Sequence, residues 1–135
     1  MKYKHIIWDW NGTLLNDLTL CVDLLNVSLE KRKLPEMTED KYRKKFLFPI
    51  KTFYESIGFD FSKEDFTIAN DEFHQGFEQK FKKLALQPYA QDTIARFQKL
   101  GITQSILSAT VQSRLNEQVD FFGITTVSYT HMKMQ

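Results

Sequence analysis

An apolar run that ends on an acid constrains this chain more than any other stretch. His5-Ile6-Ile7-Trp8 has the composition of a strand buried on both faces, and it stops at Asp9. Asn11-Gly12 then supplies a turn before helical spacing takes over near Asp17. A carboxylate at the carboxyl end of a buried strand, just ahead of a tight turn, stands where open α/β sheets place their chemistry. Asp9 is therefore the first catalytic candidate. Two plainer readings compete with it. Asn-Gly between apolar runs is also a β-hairpin signal, although Thr13-Leu14-Leu15-Asn16 does not alternate as a returning half-buried strand should. Asp9 read alone could equally be a strand-end residue that caps a turn.

The totals exclude several classes of function. With 135 residues and 42% hydrophobic content the chain is long enough for a real core. A formal net charge of +1, with both signs interspersed, leaves no electrostatic footprint for nucleic acid or an anionic membrane. The single cysteine, Cys21, forbids an internal disulfide and suits a reducing cytoplasm; its place on an apolar helix face marks it as core. No apolar run approaches the roughly 20 residues of a membrane span.

Beyond the turn the pattern is helical for some seventy residues. Leu18, Val22, Leu25 and Leu29 recur at helical spacing, capped by Asn16 or Asp17 and stopped by Leu34-Pro35. Thr38-Glu39-Asp40 opens a shorter helix through Lys45, and a further helical turn runs to Gly58. Ser62-Lys63-Glu64-Asp65 has the form of a capping box with Asp in the last place. Phe66, Phe73, Phe77, Phe81 and Leu84 then form a stripe that reads as the core of a helical bundle rather than a ligand box. His74 beside that stripe needs no metal to explain it.

After Gln87-Pro88 the pattern changes. Tyr89 to Leu100 predicts an amphipathic helix closed by Gly101, Ile102 to Ser108 a strand ending in a hydroxyl residue, and the stretch through Phe121-Phe122 another helix closed by Gly123. Two α/β segments separated by a long helical stretch describe a sheet domain with a helical domain inserted after its first strand.

Asp9-Trp10-Asn11-Gly12-Thr13-Leu14, after an apolar strand and before a helix, resembles the first motif of the haloacid dehalogenase-like hydrolase superfamily. Helix, Gly101, apolar strand and then Ser108 resembles its second. Within that superfamily the chain is most similar to the phosphoglycolate phosphatase-like branch. The resemblance, from about Lys4 to Ile124, implies an α/β fold: a Rossmann-like core with a parallel sheet, residues 1–15 and 86–135, and an inserted helical cap, residues 16–85.

The same resemblance implies roles for particular residues. Asp9 would be the nucleophile, giving an aspartyl-phosphate that water hydrolyses. A magnesium ion (Mg2+) would be held by the Asp9 carboxylate and the Asn11 backbone carbonyl, and Thr13 and Ser108 would hold the substrate phosphate. Gly12 allows the positive φ such a turn often needs. Position 11 departs from the family pattern, where Asp serves as acid and base. Asn cannot exchange a proton in that way, and the loss of one such group typically costs about 10²- to 10⁴-fold in rate.

The implied function is a magnesium-dependent phosphatase acting on a small phosphorylated metabolite, with no nucleic acid or membrane partner. The family's lysine motif and its pair of metal-binding acids are not found, no carboxylate follows Asp120, and Val127 to Gln135 does not continue the pattern. The core is accordingly expected to be incomplete, its first strand left as an apolar edge, and the chain by itself to be a weak enzyme. Two alternatives follow from Asn11 and those gaps. One is a non-catalytic phosphate-binding module; the other is a hydrolase of carbon-phosphorus or carbon-halogen bonds, which needs no proton-transferring Asp.

Overall fold

The computed structural model describes residues 2–124 and 127–131. In chain order the elements are β1 (His5–Trp8), β2 (Leu15–Asn16), α1 (Leu18–Lys31), α2 (Glu39–Lys45), α3 (Ile50–Ser56), α4 (Phe66–Lys80), β3 (Ala85–Leu86), α5 (Ala90–Lys99), β4 (Thr103–Ser108), α6 (Gln112–Phe121) and β5 (Ser128–His131). A 3-10 turn, Phe81–Lys83, follows α4. The chain divides into two compact units. One is built from the chain up to Asp17 and from Lys82 onward; the other is Leu18–Phe81.

The first unit holds a parallel sheet in the order β1-β4-β5, so that β4, the strand predicted over Ile102 to Ser108, is central. Gln104, Ile106 and Ser108 of β4 are all buried, the alternation of a strand with one covered face. Helix α5 covers that face. Its Ile94 is buried and its Ile94 carbonyl accepts the Gln104 side-chain amide at 2.9 Å, while the Phe97 ring lies 6.3 Å from that of Trp8. Helix α6 contributes Leu115 and Val119, both fully buried. Gly101 and Gly123 close α5 and α6 with φ of 71° and 72°, a left-handed step that glycine takes without steric cost. The fold class expected from the sequence, a parallel α/β sheet of Rossmann-like type, is the one observed.

Three expectations are corrected in this unit. Strand β1 is not buried on both faces: among the described residues it pairs with β4 alone, and Ile7 is 63% exposed. The segment after Val127 does continue the sheet, since Ser128–His131 lies parallel to β4 with Ser105 opposite Ser128. Two short strands also flank the helical stretch, where the sequence showed none: β2 and β3 pair antiparallel with Leu15 opposite Leu86. Asn11-Gly12 does not open a hairpin with β1, in agreement with the missing alternation.

The second unit is helical. Val22, Leu25 and Leu29 of α1 pack with Phe53, Tyr54, Phe59 and Ala69, each of these burials stabilising by about 1.5–3 kcal/mol for the larger side chains. The rings of Tyr54 and Phe59 stack at 4.8 Å. Burial raises the Tyr54 hydroxyl pKa well above the ordinary phenol range. Phe77 and Phe81 of the predicted stripe are buried and stack at 6.4 Å. Cys21 is buried, as its apolar setting predicts. A Cβ on Gly76 of α4 would lie 2.5 Å from the end of the Leu24 side chain of α1, so a larger residue there requires the Leu24 side chain to shift.

The capping box is a further correction. Asp65 alone caps α4, accepting from the Thr67 N–H at 2.8 Å, whereas Ser62 is engaged by Asp60, whose carboxylate accepts from the Ser62 N–H at 3.0 Å. The Ser62 and Thr67 hydroxyls donate to the same carboxylates at 2.5 and 2.7 Å, and they, followed by these N–H groups, hold both the Asp60 and Asp65 carboxyls below the usual range.

Candidate functional site

Because β1 and β4 are parallel and paired with Trp8 opposite Ile106, the residues that follow emerge at the same edge of the sheet. Asp9 follows the last residue of β1 and Ser108 is the last residue of β4. The strand ends thus bring together two residues 99 positions apart, at the place where a parallel sheet offers its chemistry.

The turn after Asp9 is built on Trp10. Its fully buried indole donates to Gln118 Oε1 at 2.8 Å and packs 6.1 Å from the Phe122 ring. Its carbonyl accepts from the N–H groups of Thr13, Leu14 and Leu15 at 3.2, 3.1 and 3.0 Å. Gly12 turns the chain at φ 73° and donates to the Leu15 carbonyl at 3.0 Å. In this anchored loop Trp10, Leu14 and Leu15 are buried, while Asp9, Asn11 and Thr13 are exposed.

Thr13 Oγ1 donates to Asp9 Oδ2 at 3.0 Å, which engages one oxygen of the exposed Asp9 carboxylate. The Asn11 side chain is held at both ends. Its Nδ2 donates to Asp17 Oδ2 at 2.8 Å, and its Oδ1 accepts from the Thr110 hydroxyl at 2.9 Å. Asp17 is only 2% exposed. Ser108 is buried, and its hydroxyl oxygen accepts the Thr110 N–H at 3.1 Å, which shapes the loop after β4.

Asp9, Asn11, Thr13 and Ser108, all singled out from the sequence, therefore share one end of the sheet. Asp9 and Thr13 touch directly, while Asn11 reaches the Ser108 loop through Thr110. Thr110 and Asp17 join the constellation without having been singled out. A Thr two residues beyond a strand-end Ser was the one available hint for Thr110. Nothing in the sequence distinguished Asp17 from a helix cap.

Two oxygens could serve a hard cation. The Asn11 carbonyl is not used by the turn, whose backbone bonds end on the Trp10 and Leu15 carbonyls, and Asp9 offers a carboxylate. Among the described residues no group of three or more His, Cys, Asp or Glu side chains is placed to hold a metal ion. A cavity of about 420 Å³ lies elsewhere in this unit, lined by Leu84 to Gln87, Tyr89, Gln91, Asp92 and Phe122, and none of the four site residues lines it.

The profile of haloacid dehalogenase-like hydrolases matches residues 6–131. The chain belongs to the haloacid dehalogenase-like hydrolase family. The match extends past Ile124, where the sequence resemblance was expected to stop, and includes β5. No curated protein gives a significant sequence match. Solved structures similar to it include protein tyrosine kinase A from Mycobacterium tuberculosis, at 14% identity and a TM-score of 0.79, covering 98% of this chain and 62% of that one. A predicted phosphatase from Clostridium acetobutylicum matches at 17% identity and TM-score 0.74, covering 96% and 62%. A predicted phosphoglycolate phosphatase from Haemophilus somnus matches at 16% identity and TM-score 0.73, covering 96% and 63%. At these identities the likeness is one of fold, and this haloacid dehalogenase-like chain spans less than two thirds of the length of each of those three proteins.

Proposed function

We propose that the chain carries the nucleophile of a magnesium-dependent phosphatase acting on a small phosphorylated compound in the cytoplasm. The observation that carries this reading is the Asp9 carboxylate at the end of β1, held by Thr13 at 3.0 Å and tied through Asn11 and Thr110 to the loop of Ser108. Asp9, through the oxygen that Thr13 does not engage, attacks phosphorus, and the aspartyl-phosphate so formed is cleaved by water. Thr13 and Ser108 hold the phosphoryl oxygens. Magnesium, held by the Asp9 carboxylate and the Asn11 carbonyl, supplies positive charge against the phosphoryl group. With one anionic ligand from the chain, it would keep water and substrate phosphate in its shell, a mode common for this ion. The helical unit Leu18–Phe81 acts as a cap that excludes water and selects the substrate.

The similar structures named above, two predicted phosphatases and a kinase by name, have phosphoryl transfer in common and support this class of reaction. The test is hydrolysis of acetyl phosphate and p-nitrophenyl phosphate with and without magnesium, by the chain and by Asp9→Asn. Activity should need both the metal and Asp9, and acid-quenched protein should carry phosphate on Asp9. Activity that survives in Asp9→Asn would overturn the proposal.

Asn11 favours a second reading, a phosphate-binding module without turnover. Calorimetric binding of inorganic phosphate, in a chain that hydrolyses neither compound, would decide for it.

A further inference from the structure

We infer that the site is confined to phosphoryl groups carried on leaving groups that depart as stable anions, aryl and acyl phosphates, and that it discriminates against phosphate esters of alkyl alcohols. The inference rests on the phosphatase reading above and adds a substrate class to it.

The reasoning turns on how Asn11 is held. The Asp17 carboxyl group lies against one end of the Asn11 amide, where Nδ2 donates to its Oδ2 at 2.8 Å. The opposite end, Oδ1, therefore faces Thr110 and accepts its hydroxyl at 2.9 Å. One amide hydrogen remains for a substrate oxygen. It can offer a hydrogen bond, but an amide releases no proton at neutral pH. Asn11 thus stands as a locked donor where an acid would be needed.

No other group in the two loops replaces that acid. Residues 9–17 and 108–111 contain two titratable side chains, Asp9 and Asp17. Asp9 is the nucleophile, and Asp17 is 2% exposed and occupied by the Asn11 amide. The hydroxyls of Thr13, Ser108 and Thr110 are alcohols and too weakly acidic to protonate a departing oxygen.

The consequence follows from the balance of the first step. Asp9 forms a bond to phosphorus, the bond from phosphorus to the leaving oxygen breaks, and that oxygen takes the electron pair without a proton. A carboxylate (pKa about 4) or a phenolate (about 10) tolerates this, whereas an alkoxide resembles hydroxide, whose parent acid is near 15.7. In the second step water attacks phosphorus, the electron pair of the broken bond returns to Asp9 as carboxylate, and the water proton passes to solvent. Asp9 is itself an acyl leaving group and needs no acid, but Asn11 provides no base for the water. Phosphorylated Asp9 therefore accumulates during turnover of good substrates.

The experiment is a leaving-group series on the 135-residue chain: acetyl phosphate, substituted phenyl phosphates and alkyl phosphates. In the expected result kcat/KM falls steadily as the phenol becomes less acidic, and alkyl esters lag by at least about 10²- to 10⁴-fold, the contribution of the missing acid. Rapid mixing shows a burst of phenol, and kcat is the same across the activated substrates. Asn11→Asp flattens the series by raising turnover of the alkyl esters. A kcat/KM in the parent chain that is independent of the leaving group would overturn the inference and leave the phosphatase reading intact. No hydrolysis of any member, acetyl phosphate included, would remove that reading and the inference with it.

Discussion

Replacing Arg32 with Met should destabilise the helical unit by about 2 kcal/mol at neutral pH, and the loss should shrink in acid. Arg32, just past the end of α1, is 13% exposed. It donates to both carboxylate oxygens of Glu64, to Glu72 at 3.0 Å and to the Ser28 carbonyl at 2.9 Å, with the guanidinium 5.0 Å from the Phe59 ring. Removing one partner of a fully buried pair costs about 3–5 kcal/mol. Glu64 and Glu72 are 24% and 26% exposed, so solvent recovers part of that and about 2 kcal/mol remains. Burial by itself would raise the Glu72 carboxyl, but hydrogen bonds from Arg32, Lys31 and Ser28 outweigh it and bring the pKa from 4.5 down to about 2. The Arg32 bond likewise holds Glu64 below the ordinary range. A depressed carboxyl contributes stability that is fully present above its unfolded pKa and is lost as pH falls through the folded one. The parent chain should therefore lose stability between pH 4.5 and about 2 through Glu72, and Arg32→Met should lose less over the same interval, since it keeps the Lys31 and Ser28 bonds alone. Urea titrations followed by far-UV circular dichroism read the helices. Both tryptophans, Trp8 and Trp10, belong to the sheet unit, so fluorescence is not the probe here. A gap between parent and variant below about 0.5 kcal/mol at neutral pH, or one that stays constant into acid, would refute the reasoning.

Two further predictions concern the loop that carries Asp9. Gln118→Leu strands the buried Trp10 indole N–H and should cost the sheet unit about 1–3 kcal/mol, read by tryptophan fluorescence in urea; an unchanged midpoint would mean that the indole finds another partner. Gly12→Ala has room for its methyl group, the nearest atom being Asp17 Oδ1 at 3.9 Å, so its cost is the left-handed φ of 73° alone, about 1–2 kcal/mol in the same titration. A neutral outcome there would show the loop relaxing to another conformation.

Much of the sheet unit was legible because it depends on local signals. Ile94, Phe97 and Ile106 recur at the period of the element that carries them, and Gly101 and Gly123 end their helices through conformations that need no side chain. Composition failed where packing onto the sheet decides burial. Ile6-Ile7-Trp8 has the composition of a strand buried on both faces, yet Ile7 is 63% exposed; the apolar edge expected from the absent motifs is what pairing with β4 alone gives among the described residues. The opposite holds for Ser128–His131, whose polar residues give no strand signal and which forms one by pairing with β4. Strands of two residues, such as β2 and β3, are shorter than any period that could reveal them. The capping box was misplaced by three residues because Ser62 and Asp65 have similar capping preference, and only the structure shows Ser62 already bonded to Asp60.

The site was legible in its parts and not in its wiring. Asp9 could be named from a strand end and Gly12 from a turn, while Thr13 and Ser108 were named through the family resemblance. The bond from Thr110 to Asn11 spans 99 residues, and that from Asn11 to Asp17 depends on a turn whose geometry is set by the burial of Trp10. Those bonds change the meaning of Asn11. Taken alone, it is a missing acid. Set against Asp17, it is a hydrogen-bond donor to a buried carboxyl group, and an Asp at position 11 would replace that amide donor with a second carboxyl group within hydrogen-bonding distance. Asn11 satisfies Asp17 on one side and Thr110 on the other, so the residue that removes proton transfer from the site is also the residue that joins the loop after β1 to the loop after β4. Asparagine at this position is therefore built into the loop's hydrogen bonding, and any variant that restores an acid there must also accommodate Asp17.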